Sequence, residues 1–314
     1  MTQPAGAPPP PAPPPAAGFG LHPLSLGRVL ELTFGMLRFR WRALVGAAVL
    51  PIAPVYLVGA VIQIPFVQTI NQWILEIQLG GGFPRPDVPL PRGWAEAAVV
   101  LLGVGIVQSL ATLVAIGAVT HAAGVIYSGG GGSARTSVAR ALRRLPSILG
   151  AYVLYFLALM TVLLVGGVLS VAFFAGAAGG GLLPFLGLVV VVGAVATALF
   201  LLVRWALIVP VLVLEDIGAV EAMGRSWRLV AGSGWRVLGY VFVIGLMVGV
   251  VGAVMIQVAY LVSGGSALPT DNAVILAQSL MAGAVTMLLM PVLPIALTLL
   301  YFDLRWRRGE LPTR

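Results

Sequence analysis

The sequence of 314 residues contains no cysteine, no lysine and few charged residues of any kind. The absence of cysteine excludes disulfides, thiolate metal sites and thiol nucleophiles. Charged residues make up 9% of the chain, whereas a soluble domain carries about a quarter, so this sequence cannot cover a water-facing surface of ordinary size. With 60% hydrophobic residues and a mean hydropathy of +1.05, the composition predicts a membrane protein.

The first segment, residues 1–20, is rich in proline, alanine and glycine. We predict a disordered lead there, because such sequence favours an extended, solvated chain. It lacks the charged start and short apolar run of a cleavable signal peptide. The membrane domain is therefore expected over residues 21–310, followed by a cytoplasmic tail at 311–314.

Six apolar stretches follow the lead, and each is close to the length of about 20 residues that spans a bilayer. They run roughly over 44–64, 96–119, 148–174, 183–207, 236–262 and 274–300. The sequence predicts an all-α, polytopic bundle with six transmembrane helices.

Arginine is distributed unevenly between the connections. Sixteen of the 18 arginines fall in alternate segments, and the remaining connections hold only Arg85 and Arg92. Because short cytoplasmic loops carry the excess of positive charge, we expect both termini in the cytoplasm and the protein in the plasma membrane. Basicity from arginine alone suggests a GC-rich bacterial genome, since lysine codons are rich in A and T.

Three arginine-rich segments, near 24–42, 134–147 and 217–231, are amphipathic and run directly into a spanning stretch. In each, apolar residues share one face opposite the arginines, which is typical of a helix lying at the headgroup boundary. Glu31 through Arg38 of the first segment also resemble Glu221 through Arg228 of the third. We therefore predict three repeats, each an interfacial helix followed by a helix pair.

The polar faces of these segments predict contact with anionic lipid headgroups on the cytoplasmic side. The candidate residues are Arg38, Arg42, Arg140, Arg143, Arg144, Arg225 and Arg228. An unidentified protein partner is the alternative. The net charge of +8 is attributed to membrane topology and lipid contact, so we expect no nucleic-acid partner, and we expect no cofactor or metal.

Four polar residues, Gln108, Ser109, Gln278 and Ser279, lie inside apolar stretches. Hydrocarbon offers them no hydrogen-bond partners, so we expect them to point into the bundle. Hydrogen bonds between helices are the favoured role, and the lining of a polar pathway is the alternative.

Arg204 is the most costly residue in these stretches, because a central arginine is unfavourable by about 2.5–3.5 kcal/mol on insertion scales. We expect it to reach the inner headgroups or to pair with Glu215, Asp216 or Asp303. Contact with a substrate or a lipid phosphate is the alternative.

Residues for an intramembrane enzyme are scarce. The two histidines are His22, in the lead region, and His121, near the end of the second stretch. Ser109 lies twelve residues from His121, which is roughly 18 Å along a helix and too far for a hydrogen bond. A nucleophile paired with His121 would therefore have to be a serine from another helix. We expect a packed or interfacial histidine, no catalytic residues and no enzyme.

Three motifs resemble a known membrane family. They are Leu24–Gly27 leading to Thr33 and Phe34, Gly224–Val230 before Trp235 and Arg236, and Leu300–Arg305. Over about residues 21–310 the chain resembles the membrane domain named after glycerophosphoryl diester phosphodiesterase. In the founding members this domain precedes a soluble catalytic barrel, and many relatives consist of the membrane part alone. Because the chain ends at Arg314, the resemblance implies the membrane fold and not phosphodiesterase activity.

The leading hypothesis is a non-catalytic membrane module that organises or senses lipid, or docks a cytoplasmic partner. The alternative is a transporter or lipid translocase that uses the bundle interior. It is suggested by the polar residues inside the spans and by matching proline pairs, Pro51 with Pro54 and Pro291 with Pro294, which can interrupt helices.

Overall fold

The computed structural model describes residues 25–79, 92–176, 182–262, 264–265 and 268–310, and within these ranges the chain is helical without strands. The predicted lead at 1–20 and tail at 311–314 lie outside the described residues. The helices, in chain order, are α1 (Leu26–Phe39), α2 (Trp41–Leu79), α3 (Trp94–Tyr127), α4 (Ala134–Ala175), α5 (Leu183–Arg204), α6 (Ile208–Leu214), α7 (Ala219–Val230), α8 (Gly234–Val262), α9 (Asn272–Leu289) and α10 (Val292–Arg307).

Six stretches of helix are long and apolar enough to cross a membrane. Four are the single helices α2, α3, α4 and α8, and the other two are the pairs α5–α6 and α9–α10. They coincide with the six predicted stretches, so the all-α, six-span prediction is confirmed. Large apolar side chains cover the outside of α4, α5 and α8. Such a surface is stable against lipid and not against water, and the protein is a multi-pass integral membrane protein.

Helix α2 is longer than predicted. The sequence suggested that the first span ends near residue 64, but α2 continues through Pro65 to Leu79 without a break. Its 39 residues measure about 58 Å, well beyond the hydrocarbon core of about 30 Å. The far end is fixed by Asn71, whose side-chain amide donates to the Pro269 carbonyl at 2.8 Å.

The predicted repeat is visible in the order of the helices, although its copies differ. Helix α1 precedes the pair α2–α3, and α7 precedes the pair α8–α9. In the middle copy the amphipathic residues 134–147 form the first turns of α4 itself, with Pro146 inside the helix. The amphipathic segment of this copy is therefore continuous with its span.

The hydrophobic core lies toward one end of the bundle. The second half of α3 contributes small buried residues, among them Ala115, Ala118, Ala122 and Ala123. Side chains of this size let α3 approach its neighbours closely. Helices α2, α4, α6 and α10 all pack against α3, so α3 is the central element of the fold.

Helices α4 and α5 pack through a glycine. A Cβ atom added at Gly166 would overlap the Cβ of Ala194, whereas one added at the neighbouring Gly167 would meet nothing within 4 Å. The contact therefore requires glycine at 166 and tolerates a larger residue at 167.

We expect Gly166→Ala to destabilise the protein by about 1–3 kcal/mol, because Ala194 cannot move away without shifting α5. Gly167→Ala, as the matched control, should be neutral or stabilising by up to about 1 kcal/mol, since alanine is the better helix former. Thermal unfolding of the two variants in detergent measures the difference. Equal unfolding temperatures would contradict this packing.

Candidate functional site

The arginine-rich ends of the spans meet at one end of the bundle, called here the arginine-rich end. It comprises α1, the start of α2, the α3–α4 connection, α6, α7, the start of α8 and the end of α10. Six of the ten acidic residues of the chain also lie there: Glu31, Glu215, Asp216, Glu221, Asp303 and Glu310. From the sequence, the arginines of this end are expected mainly to contact lipid. The structure shows that several of them bind carboxylates.

Arg225 of α7 is held by two carboxylates. Its Nε donates to Glu215 Oε2 at 3.1 Å, and its Nη1 donates to Glu310 Oε1 at 3.0 Å. The hydroxyl of Tyr301 donates to Glu215 Oε1 at 2.8 Å, and Arg305 Nη1 donates to the Tyr301 oxygen at 2.8 Å. These bonds connect α7 to the end of α6 and to α10.

The network shifts the pKa values of its members outside the spans. The hydrogen bond from Arg225 lowers the pKa of Glu310 below its ordinary value, against a smaller opposing effect of burial, and the charges of Arg225 and Arg305 lower it further. The hydrogen bond to Glu310 correspondingly raises the pKa of Arg225. Both groups are therefore charged at neutral pH.

Asp303 of α10 forms a second cluster. Its side chain is 0% exposed and accepts a hydrogen bond from Arg307 Nε at 3.0 Å. Arg236 at the start of α8 lies 3.7 Å from the same carboxylate oxygen, and its Nη2 also donates to Tyr240 Oη at 3.1 Å. A buried carboxylate is stable only when it is paired in this way.

Asp216 anchors the connection between α6 and α7. Its backbone has a φ of 64°, a left-handed conformation that aspartate tolerates better than most residues. Arg140 Nη2 lies 2.8 Å from its carboxylate, Arg144 pairs with the same oxygen, and Arg144 Nη2 also donates to the Asp216 carbonyl at 3.0 Å. Two turns of α4 thus hold this strained residue.

The predicted headgroup residues fall into two groups. Arg140, Arg144 and Arg225 are engaged by carboxylates within the protein, so a phosphate would have to compete for them. The other four are exposed, and within the described residues none of them forms an ion pair: Arg38, Arg42, Arg143 and Arg228. Headgroup contact stays a prediction, and it is better suited to the second group.

Arg204 does not bind any of the three carboxylates expected from the sequence. Its Nη1 donates to the Trp227 carbonyl at 3.3 Å, and its guanidinium lies 4.9 Å from the Trp227 ring and 5.0 Å from the Phe200 ring. The Arg204 carbonyl accepts from Ser226 Oγ at 2.9 Å. Within the described chain, its positive charge has aromatic faces around it and no anion.

Arg204 borders a groove between α5 and α8. The groove has a volume of about 850 Å³ and contains a second arginine, Arg236. Its walls are mostly apolar and include Ala196, Leu199 and Leu238. The turn at residues 232–234, which leads into α8, closes one side. A positive end next to an apolar channel is the amphipathic pattern of a phospholipid.

The four intramembrane polar residues behave differently from one another. Gln63 Nε2 donates to Ser279 Oγ at 3.0 Å, which confirms a hydrogen bond between helices for Ser279. Ser109, which we expected to point inward, is exposed, and its hydroxyl donates to the Gly105 carbonyl of its own helix. A serine hydroxyl can form its hydrogen bond within its own helix in this way, so it need not face another helix. Gln108 and Gln278 are both partly buried.

His121 does meet a serine from another helix. Its Nδ1 lies 3.1 Å from the hydroxyl of Ser137 on α4, the arrangement that the sequence analysis left as the remaining route to a nucleophile. Ser137 is 0% exposed, and no carboxylate of the described chain hydrogen-bonds to His121. The pair connects α3 to α4, and substrate cannot reach the serine in this conformation.

Comparison with known proteins agrees with the fold. Residues 184–304, which run from α5 into α10, match the family model described as the membrane domain of glycerophosphoryl diester phosphodiesterase. The resemblance expected from the sequence is confirmed over these residues, which contain the Gly224–Val230 motif and Trp235. No curated protein and no solved structure matches the chain.

The charge network predicts how the stability of the protein depends on pH. Folding lowers the pKa of Glu310, so the ionised Glu310 carboxylate stabilises the folded protein. This stabilisation is complete above the pKa of the unfolded state, about 4.3, and is lost as the pH falls through the pKa of the folded state. We expect Glu310→Gln to lower the unfolding temperature at neutral pH, and the gap to the parent protein to close between about pH 5 and pH 3.

The control is Glu221→Gln on α7, since no ion pair of Glu221 is found in the described residues. This variant should unfold close to the parent at every pH. A Glu310→Gln deficit that stays constant down to acid pH would contradict the assigned ion pairing.

Proposed function

We propose that this protein is a non-catalytic membrane module that binds anionic phospholipid at its arginine-rich end. We further propose that this end is cytoplasmic and that the membrane is a bacterial plasma membrane. The observation that carries the proposal is the groove between α5 and α8, where Arg204 lies without an anionic partner in the described chain beside an apolar channel.

The two ends of the groove suit the two parts of a lipid. Arg204 offers its guanidinium group to a phosphate, and guanidinium binds phosphate through paired hydrogen bonds. Arg236, which is engaged by the Asp303 carboxylate, adds positive charge beside it. Residues 234–236 also line the groove as the first turn of α8, whose backbone N–H groups have no partner within the helix. From Arg204 to Ala196 the apolar wall extends about 12 Å along α5, which accommodates part of an acyl chain.

The remaining exposed arginines extend the positive surface. Arg38 and Arg42 flank the corner between α1 and α2, where two clefts lie against the α3–α4 connection. An arginine near an anionic membrane surface contributes about 1 kcal/mol, and salt screens the attraction. We therefore assign these residues, with Arg143 and Arg228, to general attraction of the anionic surface, and Arg204 to the specific contact.

A second candidate function is a transporter or lipid translocase that uses the bundle interior. One observation favours it, which is that the fourth and sixth spans are each interrupted, between α5 and α6 and between α9 and α10. Interrupted helices occur at the binding sites of transporters. The arginine groove lies at one end of the bundle, so a lipid bound there could also be at the start of a transfer path.

We expect Arg204→Gln to weaken phosphatidylglycerol binding about tenfold, because a hydrogen bond to a charged group is worth about 1.5–3 kcal/mol and 1.4 kcal/mol is a factor of ten. Native mass spectrometry of the detergent-solubilised protein, titrated with phosphatidylglycerol or phosphatidylcholine, measures the bound lipid. Arg92→Gln, at the opposite end of the bundle, is the matched control and should bind as the parent does.

A second variant separates the two contributions. Replacing Arg38, Arg42, Arg143 and Arg228 together by glutamine should reduce the salt-sensitive part of the binding and leave the Arg204 effect in place. If the parent protein binds the two lipids equally, or if Arg204→Gln binds phosphatidylglycerol as the parent does, the groove is not an anionic lipid site.

A further inference from the structure

A second cavity, which shares no lining residue with the arginine groove, lies between the helices of the bundle and is partly open to the outside. Its volume is about 470 Å³, within the range of sites for small ligands. Helices α3, α4, α5, α6, α8, α9 and α10 all contribute to its wall. The wall is almost entirely apolar and includes no charged residue.

One polar group in this wall lacks a partner. Thr120 of α3 is 0% exposed, and its hydroxyl has no hydrogen-bond partner among the described residues. The other threonines within the described helices each donate to a carbonyl three or four residues earlier: Thr33, Thr69, Thr112, Thr136, Thr161, Thr197, Thr286 and Thr298. A hydroxyl left unpaired in a buried apolar site is costly, by about 1–3 kcal/mol. Thr120 is the exception in a chain that otherwise satisfies this residue type locally.

The same cavity borders both helix interruptions. Trp205 and Ala206, between α5 and α6, line it on one side, and Met290, between α9 and α10, lines it on another. Non-helical backbone at membrane depth is tolerated where it is buried in protein or lines a cavity. The prolines Pro210 and Pro294, also in the wall, lie in the first turns of α6 and α10, where the N–H that proline lacks would have no acceptor within the helix.

The composition of the wall determines which ligand it can accept. A charged ligand would lose its hydration without meeting an opposite charge, so the site excludes it. A pure hydrocarbon would leave the Thr120 hydroxyl unpaired. A neutral, single-chain ligand with a hydroxyl or carbonyl at one end satisfies both requirements, and Tyr152, Tyr155 and Trp205 provide aromatic surface for its chain.

We infer that this cavity is a binding site for a neutral single-chain lipid, with the polar end of the lipid hydrogen-bonded to Thr120. The inference depends on the cavity alone and not on headgroup binding at the arginine-rich end. It differs from the groove in the class of ligand, because the groove binds an anion and the cavity excludes one.

Trp205 in the wall provides an optical test. Bromine quenches tryptophan fluorescence at short range, so the purified protein in detergent is titrated with dodecanol, dodecanoate and dodecane, each brominated at the chain end. Trp205→Phe identifies the part of the signal that comes from the cavity. We expect saturable quenching of Trp205 by the alcohol, and affinity for the alcohol about three- to tenfold higher than for the alkane, the effect of one hydrogen bond.

Thr120→Val tests the polar contact while keeping the shape of the side chain. It should lower affinity for the brominated alcohol about three- to tenfold and leave affinity for the brominated alkane unchanged. Unchanged binding of the alkane then also shows that the variant is folded. Thr112→Val, two turns away on α3, is the matched control and should change neither affinity.

Three results would overturn the inference. One is quenching of Trp205 that rises in proportion to the concentration of the brominated probe without saturating, which indicates that the probe partitions into the micelle. Another is tighter binding of the carboxylate than of the alcohol, and the third is an equal effect of Thr120→Val on alcohol and alkane.

Discussion

Hydrocarbon provides no partner for a charged or hydrogen-bonding group, and this constraint determines where the charged side chains of the described helices lie. Of the 16 arginines that the structure describes, 15 lie at one end of the bundle, and Arg92 is the exception. There the arginines meet the carboxylates of Glu215, Asp216, Asp303 and Glu310, which join α4, α6, α7, α8 and α10. The charge network and the buried core thus occupy the same end of the molecule.

The network also decides which arginines are available for lipid. Arg140, Arg144 and Arg225 hold the helices together, whereas Arg204 is surrounded by aromatic rings beside an apolar groove. A positive charge at the end of a span, without an anion from the described part of the protein, is suited to an anion from the membrane. The described arginines therefore divide into those that connect helices through carboxylates and those that do not, and the proposed lipid contact rests on the second set.

Much of the fold could be predicted from the sequence, because hydropathy and arginine placement follow directly from the bilayer. The six spans and the amphipathic helices α1 and α7 are examples. The length of α2 could not be predicted, because Pro65 looks like the end of a helix in the sequence. The hydrogen bond from Asn71 to the Pro269 carbonyl, which holds the extended end of α2, is visible only in the structure. The pairing of Arg225 with Glu310 joins residues far apart in the chain, and no local pattern reports it.

The candidate sites were accessible to sequence reasoning only in part. Arg204 stands out because charge is rare in a span, but its groove depends on the distance between α5 and α8. Thr120 gives no signal at all in the sequence, because a helical threonine normally bonds to its own backbone. Its isolation becomes visible only when the surrounding helices form the cavity wall.

The most direct test of the account is the sidedness of the arginine-rich end. The chain has no cysteine, so Ser133→Cys, Ser233→Cys, Arg92→Cys and Thr270→Cys each introduce a single label site. With a membrane-impermeant maleimide, we expect Arg92→Cys and Thr270→Cys to react in intact cells, and Ser133→Cys and Ser233→Cys to react only in inverted vesicles. Reaction of the two serine positions from opposite faces would contradict the six-span arrangement, and reaction of both from outside would contradict the cytoplasmic assignment.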